Sequence, residues 1–426
     1  MKNILLDLLE INKDKEIIKK AIEALIKIIN KWKSKNGIKG KFKISGIYEF
    51  GIWVIEDVEI NIVFNDHLVS KYFGSEKSIC EPLISKNCKD NSLYCFLCKE
   101  QFKDFEFTFK HLQKHTNNTQ KMIELNIEGI KFTIETNENL YKHETNNFIK
   151  ELPDIKNNNK FTIALFILNR WAKNNFVNQE RFGFLDQYSI SIMLAKIKIL
   201  YPNVSLVELI EHFFLTYLEW NKSIPVQIKE NQKDKINENK GIFIVLSPTN
   251  PEQILAKQIN KSTTKIIEKA MLDGLKEVGE ISQSSEEITT SWKKFLEPKK
   301  FSEMYQHFVL ISCYATNLLE KQNFCGFVEE KLPHKLIENI ENKLDKINYC
   351  HLGKKIVDLC PEINEKMPFC STWIIGIELL NNENIKNDKK DIEERFEELI
   401  EELKLDGYNK FGELKFMLLS FAEKNN

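Results

Sequence analysis

The spacing of apolar residues changes repeatedly along this chain, and that succession limits the fold more than any other feature. Residues 14–33 place Ile17, Ala21, Leu25, Ile28 and Trp32 three or four apart, which predicts a helix packed along one stripe. After the turn at Asn36-Gly37, the run from Phe42 to Phe64 is β-rich, with Ile60, Ile62 and Phe64 alternating against Glu59, Asn61 and Val63 as on a strand. Residues 65–120 interrupt this pattern. Met122 to Glu135 resume it through Ile127, Ile130, Phe132, Thr133 and Ile134. A mixed α/β first domain over residues 1–150, carrying an insertion at 90–118, follows from this order.

From about 151 to 290 the pattern is helical, as in Phe161 to Trp171, Ile190 to Leu200 and Leu206 to Trp220, with Pro202 and Pro225 near element ends. Lys229 to Lys240 has the composition of an exposed loop. After Glu297-Pro298 strands and helices mix again, ending with an acidic helix at Asp391 to Leu403 and a closing strand at Glu413 to Phe421. The expected architecture is therefore α+β and multi-domain, with domains at 1–150, 151–290 and 291–426. At 426 residues and 42% apolar, the chain is long enough to bury a core in each.

Charge names no partner by itself. The 61 basic and 62 acidic residues nearly cancel, so nucleic acid would have to meet a local patch. Arg170, Arg181 and Arg395 are the only arginines, which makes bidentate phosphate recognition scarce. The N-terminal segment reaches Asp7 before a signal-peptide core can develop, and no run approaches about 18 apolar residues, so neither secretion nor membrane spanning is expected. Nine mostly scattered cysteines point to a reducing compartment, cytosol or nucleus.

The clearest chemical motif is Cys95-x2-Cys98, followed after twelve residues by His111-x3-His115. Two thiolates on a knuckle and two imidazoles one helical turn apart can surround a tetrahedral Zn²⁺, so this spacing predicts a Cys2His2 zinc finger, with Phe102 as its core aromatic. Lys103 to Thr108 would open its helix, but acids and phenylalanines there make a poor base-reading set, which favours a structural or protein-docking finger. Cys80 and Cys88 lack ligand spacing and are expected to be ordinary thiols. His67, His143, His212, His307, His334 and His351 also lack it.

The run Arg170-Trp171-Ala172-Lys173, then Gly183-Phe184-Leu185, Leu200-Tyr201-Pro202-Asn203, Phe213-Phe214, Trp220 and Pro225-Val226, resembles the central domain of the eukaryotic nuclear poly(A) polymerase family. Leu246-Ser247-Pro248-Thr249 with Pro251 is similar to that family's threonine-proline motif. Ser291-Trp292, Phe301, Tyr305, Gly326 to Glu329 and Thr372 to Gly376 resemble its RNA-binding domain. The resemblance implies a nucleotidyltransferase palm, a helical central domain and an RRM-like C-terminal domain. It also implies transfer of AMP from ATP to RNA 3′ ends in the nucleus, with two metal ions, Mg²⁺ or Mn²⁺, held by three aspartates.

Those positions depart from the family pattern. The Gly-Ser pair and Asp-x-Asp strand align with Gly46-Ile47, Gly51 and Glu59-Ile60-Asn61, and the third aspartate aligns with Thr133. Val177 stands in place of a tyrosine and Asp186-Gln187 in place of a Gly-Gly pair, while Lys173 is kept. Gly46, Gly51 and Lys173 are thus the nucleotide-binding candidates. A register shift offers an alternative acid set, Asp57, Glu59 and Glu135. Three readings follow: a non-catalytic protein of mRNA 3′-end processing that binds RNA or a partner, which we favour; an active polynucleotide adenylyltransferase using displaced acids; and a structural subunit with no RNA role.

Overall fold

The protein is seen in a computed structural model that describes residues 10–39, 41–55, 59–64, 93–94, 101–102, 105–113, 119–127, 130–136, 140–156, 158–229, 242–250, 253–283, 288–316, 318–357, 369–380, 389–404 and 413–420. Helix α1 (Lys15–Lys35) opens the first unit. Its buried stripe is Ile18, Ala21, Leu25, Ile28 and Trp32, whereas Ile17 is 48% exposed. The difference from the expected stripe is geometric. Two successive steps of four residues, 17 to 21 to 25, drift about 80° around a helix of 3.6 residues per turn, while alternating steps of three and four stay on one face. Trp32 meets Phe64 edge-on, with ring centroids 6.0 Å apart.

Strands β1 (Phe42–Ser45) and β2 (Glu59–Phe64), the short β3 (Leu93–Tyr94) and β4 (Gln101–Phe102), then β5 (Phe105–Gln113), β6 (Thr119–Ile127) and β7 (Ile130–Thr136) follow. The main sheet runs β1-β2-β7-β6-β5; β2 and β7 are parallel and the other pairs antiparallel. Helix α2 (Leu140–Lys150) lies against β1: the His143 ring meets the Ile44 carbonyl at 3.1 Å, and the Asn146 amide donates to the Gly46 carbonyl at 3.2 Å.

The middle unit is helical, with α3 (Asn159–Asn174), α4 (Gln187–Leu200), α5 (Leu206–Leu218), a small β8 (Val245–Leu246) and β9 (Ile254–Leu255) pair, α6 (Lys261–Gln283) and α7 (Ile288–Phe295), the last spanning residue 291. Ser205 and Glu208 form a reciprocal capping box that starts α5. Trp171 of α3 packs edge-on against Phe214 of α5 at 4.9 Å.

A short helix α8 (Phe301–Met304) leads into β10 (His307–Ala315), α9 (Leu318–Leu336), β11 (Ile347–Val357), β12 (Phe369–Leu379), α10 (Lys389–Leu403) and β13 (Glu413–Ser420). The antiparallel sheet order is β11-β12-β10-β13. This β-α-β-β-α-β succession with the first and third strands central is the split βαβ arrangement. Val309, Ile311 and Cys313 are fully buried on one face of β10. On the other face Tyr305 lies where a Gly376 Cβ would sit, 2.2 Å from the ring, so only glycine admits this contact.

The units are joined by specific polar contacts. The Asn174 amide donates to the carbonyls of Leu296 and Glu297 at 2.9 and 3.1 Å. Arg181 pairs with the buried Glu329 of α9 at 3.0 Å, and Lys142 pairs with Glu180 at 3.1 Å. No helix among the described residues is long and apolar enough to cross a membrane.

Candidate functional site

Strands β2 and β7 are adjacent and parallel, in a register that pairs Asn61 with Thr133 and Glu59 with Lys131. Ile60, Ile62, Phe132 and Ile134 are buried, which leaves Glu59, Asn61 and Thr133 on the alternate face. The three positions are therefore brought together. The Thr133 hydroxyl lies 3.5 Å from Glu59 Oε1, and the Lys131 ammonium donates to the same oxygen at 2.8 Å. Burial pushes the Glu59 carboxyl up, but Lys131, with Lys142 and Arg181 behind it, outweighs that and holds it below the ordinary carboxylate range.

Asn61 is turned to a protein partner. Its amide donates to the Tyr188 hydroxyl at 2.8 Å, and Ser45 Oγ meets the same hydroxyl at 2.9 Å. Tyr188 is buried, which raises its pKa well above the usual phenol value, and the Lys142 ammonium stands 5.7 Å from its ring centroid. One residue earlier, Gln187 donates from Nε2 to the Glu59 carbonyl at 3.3 Å and accepts from the Ile47 backbone N–H at 3.1 Å. Asp186 caps α4 by accepting from the Ser189 N–H at 2.6 Å; burial, followed by the nearby Glu180 carboxylate, raises its pKa. Where the resemblance places a backbone-only Gly-Gly approach, side chains fill the space. Gln187 stands where the resemblance already marks a departure, whereas no motif in the sequence points to Tyr188. The available signal was a tyrosine in the first turn of an otherwise buried helix, because a buried phenol needs a hydrogen-bond partner.

The predicted nucleotide-side residues serve the backbone. A Cβ at Gly46 would stand 2.5 Å from the Glu59 carbonyl oxygen, so glycine is required for β1 to turn past β2. Gly51 has φ +89° and closes the short helical turn Ile47–Phe50. Lys173 lies in the last turn of α3, a favourable place for a cation near a helix C-terminus, and Val177 is buried. In the alternative acid set, Glu135 pairs with Val63 across β2 and β7, while Asp57 lies outside the described residues.

The finger prediction requires correction in its fold. Phe105–Gln113 is a strand of the main sheet, with His111 opposite Lys121, and not the helix that a Cys2His2 finger needs there. The alternation of Phe105, Phe107 and Phe109 with Glu106, Thr108 and Lys110 has a strand's period of two, and pairing to β6 realises it. Cys95, Cys98 and His115, like Cys80 and Cys88, lie outside the described residues. Among the described residues no three His, Cys, Asp or Glu side chains cluster as metal ligands.

Divalent ions of the kind a two-metal centre uses need several carboxylate oxygens. Here one carboxylate is already paired to an ammonium, and an amide and a hydroxyl occupy the other two positions. Glu59, Asn61 and Thr133 by themselves do not fit a two-metal site.

Residues 160–298, from the start of α3 to the end of the helical unit, match the model of the poly(A) polymerase central domain. Over this stretch the chain is similar to the poly(A) polymerases. The poly(A) polymerase of Dictyostelium discoideum is 24% identical over 242 residues, covering 55% of this chain and 29% of that protein. Nuclear poly(A) polymerase 1 of Arabidopsis thaliana is 26% identical over 222 residues, covering 49% and 29%. The chain thus spans about three tenths of the length of these curated relatives. Among solved structures, the Cid1 poly(U) polymerase aligns over 70% of this chain and 99% of its own, with 14% identity and a TM-score of 0.47. The poly(A) polymerase-like match contains Lys173, Val177 and Asp186-Gln187, whereas Glu59, Asn61 and Thr133 lie before it.

Proposed function

We propose that this chain is a poly(A) polymerase family protein of nuclear mRNA 3′-end processing whose adenylyl-transfer centre is disabled, and that it acts by binding RNA or a processing partner. The observation that carries the reading is the Asn61–Tyr188 hydrogen bond: a side chain at a metal-binding position of the family is committed to the central helical unit, with Gln187 beside it on the nucleotide side. The nuclear assignment rests on the sequence similarity to a nuclear relative.

The C-terminal split βαβ sheet supports the RRM-like reading, and it also constrains how RNA would be held. Opposite the helix-packed face, the central strands carry Leu310, Ser312, Thr372 and Ile374, and Tyr314 is buried, so among these residues no exposed ring offers a base a stacking platform. RNA binding by this chain is therefore led by phosphate contacts to lysine and is insensitive to base identity. Fluorescence anisotropy with labelled oligo(A) and oligo(U), in EDTA and at rising salt, tests this. Similar affinities that fall with salt support the reading; absence of salt-dependent binding removes the RNA role.

A further inference from the structure

We infer that the Lys131 ammonium is the resident counter-cation of the palm, standing in for the divalent ions of the family and closing the site to Mg²⁺ and Mn²⁺. The inference deepens the proposal of a disabled centre and rests on that reading. Its ground is the pairing of β2 with β7. Parallel register sets Lys131 directly across from Glu59, and their side chains meet at 2.8 Å. Thr133, two residues further along β7, approaches the same carboxylate oxygen at 3.5 Å.

Charge around the site is arranged to the same end. Lys142, almost fully buried, pairs with Glu180, and Arg181 pairs with Glu329; both cations also act on Glu59. Glu59, the acid among the three family positions, thus already sits in a cationic field, with an ammonium hydrogen-bonded to it. A divalent ion brought to Glu59 would have to displace Lys131 and then bind beside it, against like-charge repulsion, while Asn61 and Thr133 offer it no compensating negative charge.

The test is Mn²⁺ binding by the full chain, followed by electron paramagnetic resonance, with folding checked by circular dichroism. Wild type should bind no Mn²⁺ at the palm. Asn61→Asp/Thr133→Asp, which restores carboxylates beside Lys131, should bind weakly, and adding Lys131→Met should tighten binding at least about tenfold. Stoichiometric Mn²⁺ on wild type that Glu59→Gln removes would overturn the inference, as would equal affinities with and without Lys131. Lys131→Met alone gives a second readout on a minimally changed protein: the Glu59 carboxyl, followed by NMR titration, should rise in pKa, and an unmoved value would equally overturn it. Tailing activity would remove the disabled-centre reading by itself, whereas failure to bind RNA would leave the Lys131 assignment standing.

Discussion

The side-chain amide of Asn61 on β2 donates to the hydroxyl of Tyr188 on α4 at 2.8 Å, across 127 residues of sequence. The same hydroxyl meets Ser45 Oγ at 2.9 Å, so one phenol satisfies two buried polar groups from the first unit and ties it to the helical unit. Tyr188→Phe keeps the ring and removes the oxygen that both groups use. A loss of about 1–3 kcal/mol in unfolding free energy is expected, the cost of leaving buried polar groups without a partner. Urea unfolding followed by circular dichroism measures it, and a change within about 0.5 kcal/mol would show that water replaces the phenol at no cost.

A second contact sets a pH dependence. His351 is fully buried; its Nε2 lies 3.1 Å from the Phe176 carbonyl, to which it must donate, and its Nδ1 lies 2.6 Å from the Tyr305 hydroxyl. Burial lowers its pKa from 6.5 to about 4. The unfolded chain therefore binds a proton at a pH where the fold does not. Stability from this residue is complete above about 6.5 and is lost as pH falls towards 4, amounting to roughly 3 kcal/mol for so large a shift on a buried group. His307, also lowered by burial, acts in the same direction, and Asp186, raised by burial, acts in the opposite one. Thermal unfolding of wild type and His351→Gln between pH 4.5 and 7.5 isolates the His351 share. The difference between the two should shrink as pH falls, and a difference constant with pH would contradict the assignment.

The strand at Phe105–Gln113 bears on zinc. With His111 paired opposite Lys121, the helix that brings two imidazoles one turn apart is absent, so metal analysis of the purified protein should find substoichiometric zinc. One zinc per chain, lost in Cys95→Ser, would show that Cys95, Cys98, His111 and His115 close around the ion in another geometry.

The elements that carried strong periodicity were legible in the sequence: α1, the strands around Glu59 and Thr133, the helical middle and the closing strand all stand where apolar spacing placed them, except that the α1 stripe begins with Ile18 instead of Ile17. Where ligand spacing predicts a helix, Phe105–Gln113 is a strand, because its period-two phenylalanines pair with β6. Lys131 was not legible as a site residue. Its role follows from the parallel register with β2, which joins residues 72 apart and which no local pattern encodes. Tyr188 was hidden for the same reason, as were the contacts of Gln187, since their partners come from the other end of the first 190 residues.

Under the proposed function, this chain does not transfer AMP. Incorporation of ATP onto an oligo(A) primer with Mg²⁺ or Mn²⁺ tests it most directly, with Glu59→Ala and Asp57→Ala variants run beside the wild type. No primer extension above a protein-free control is expected for any of the three. Extension by wild type that either substitution abolishes would contradict it.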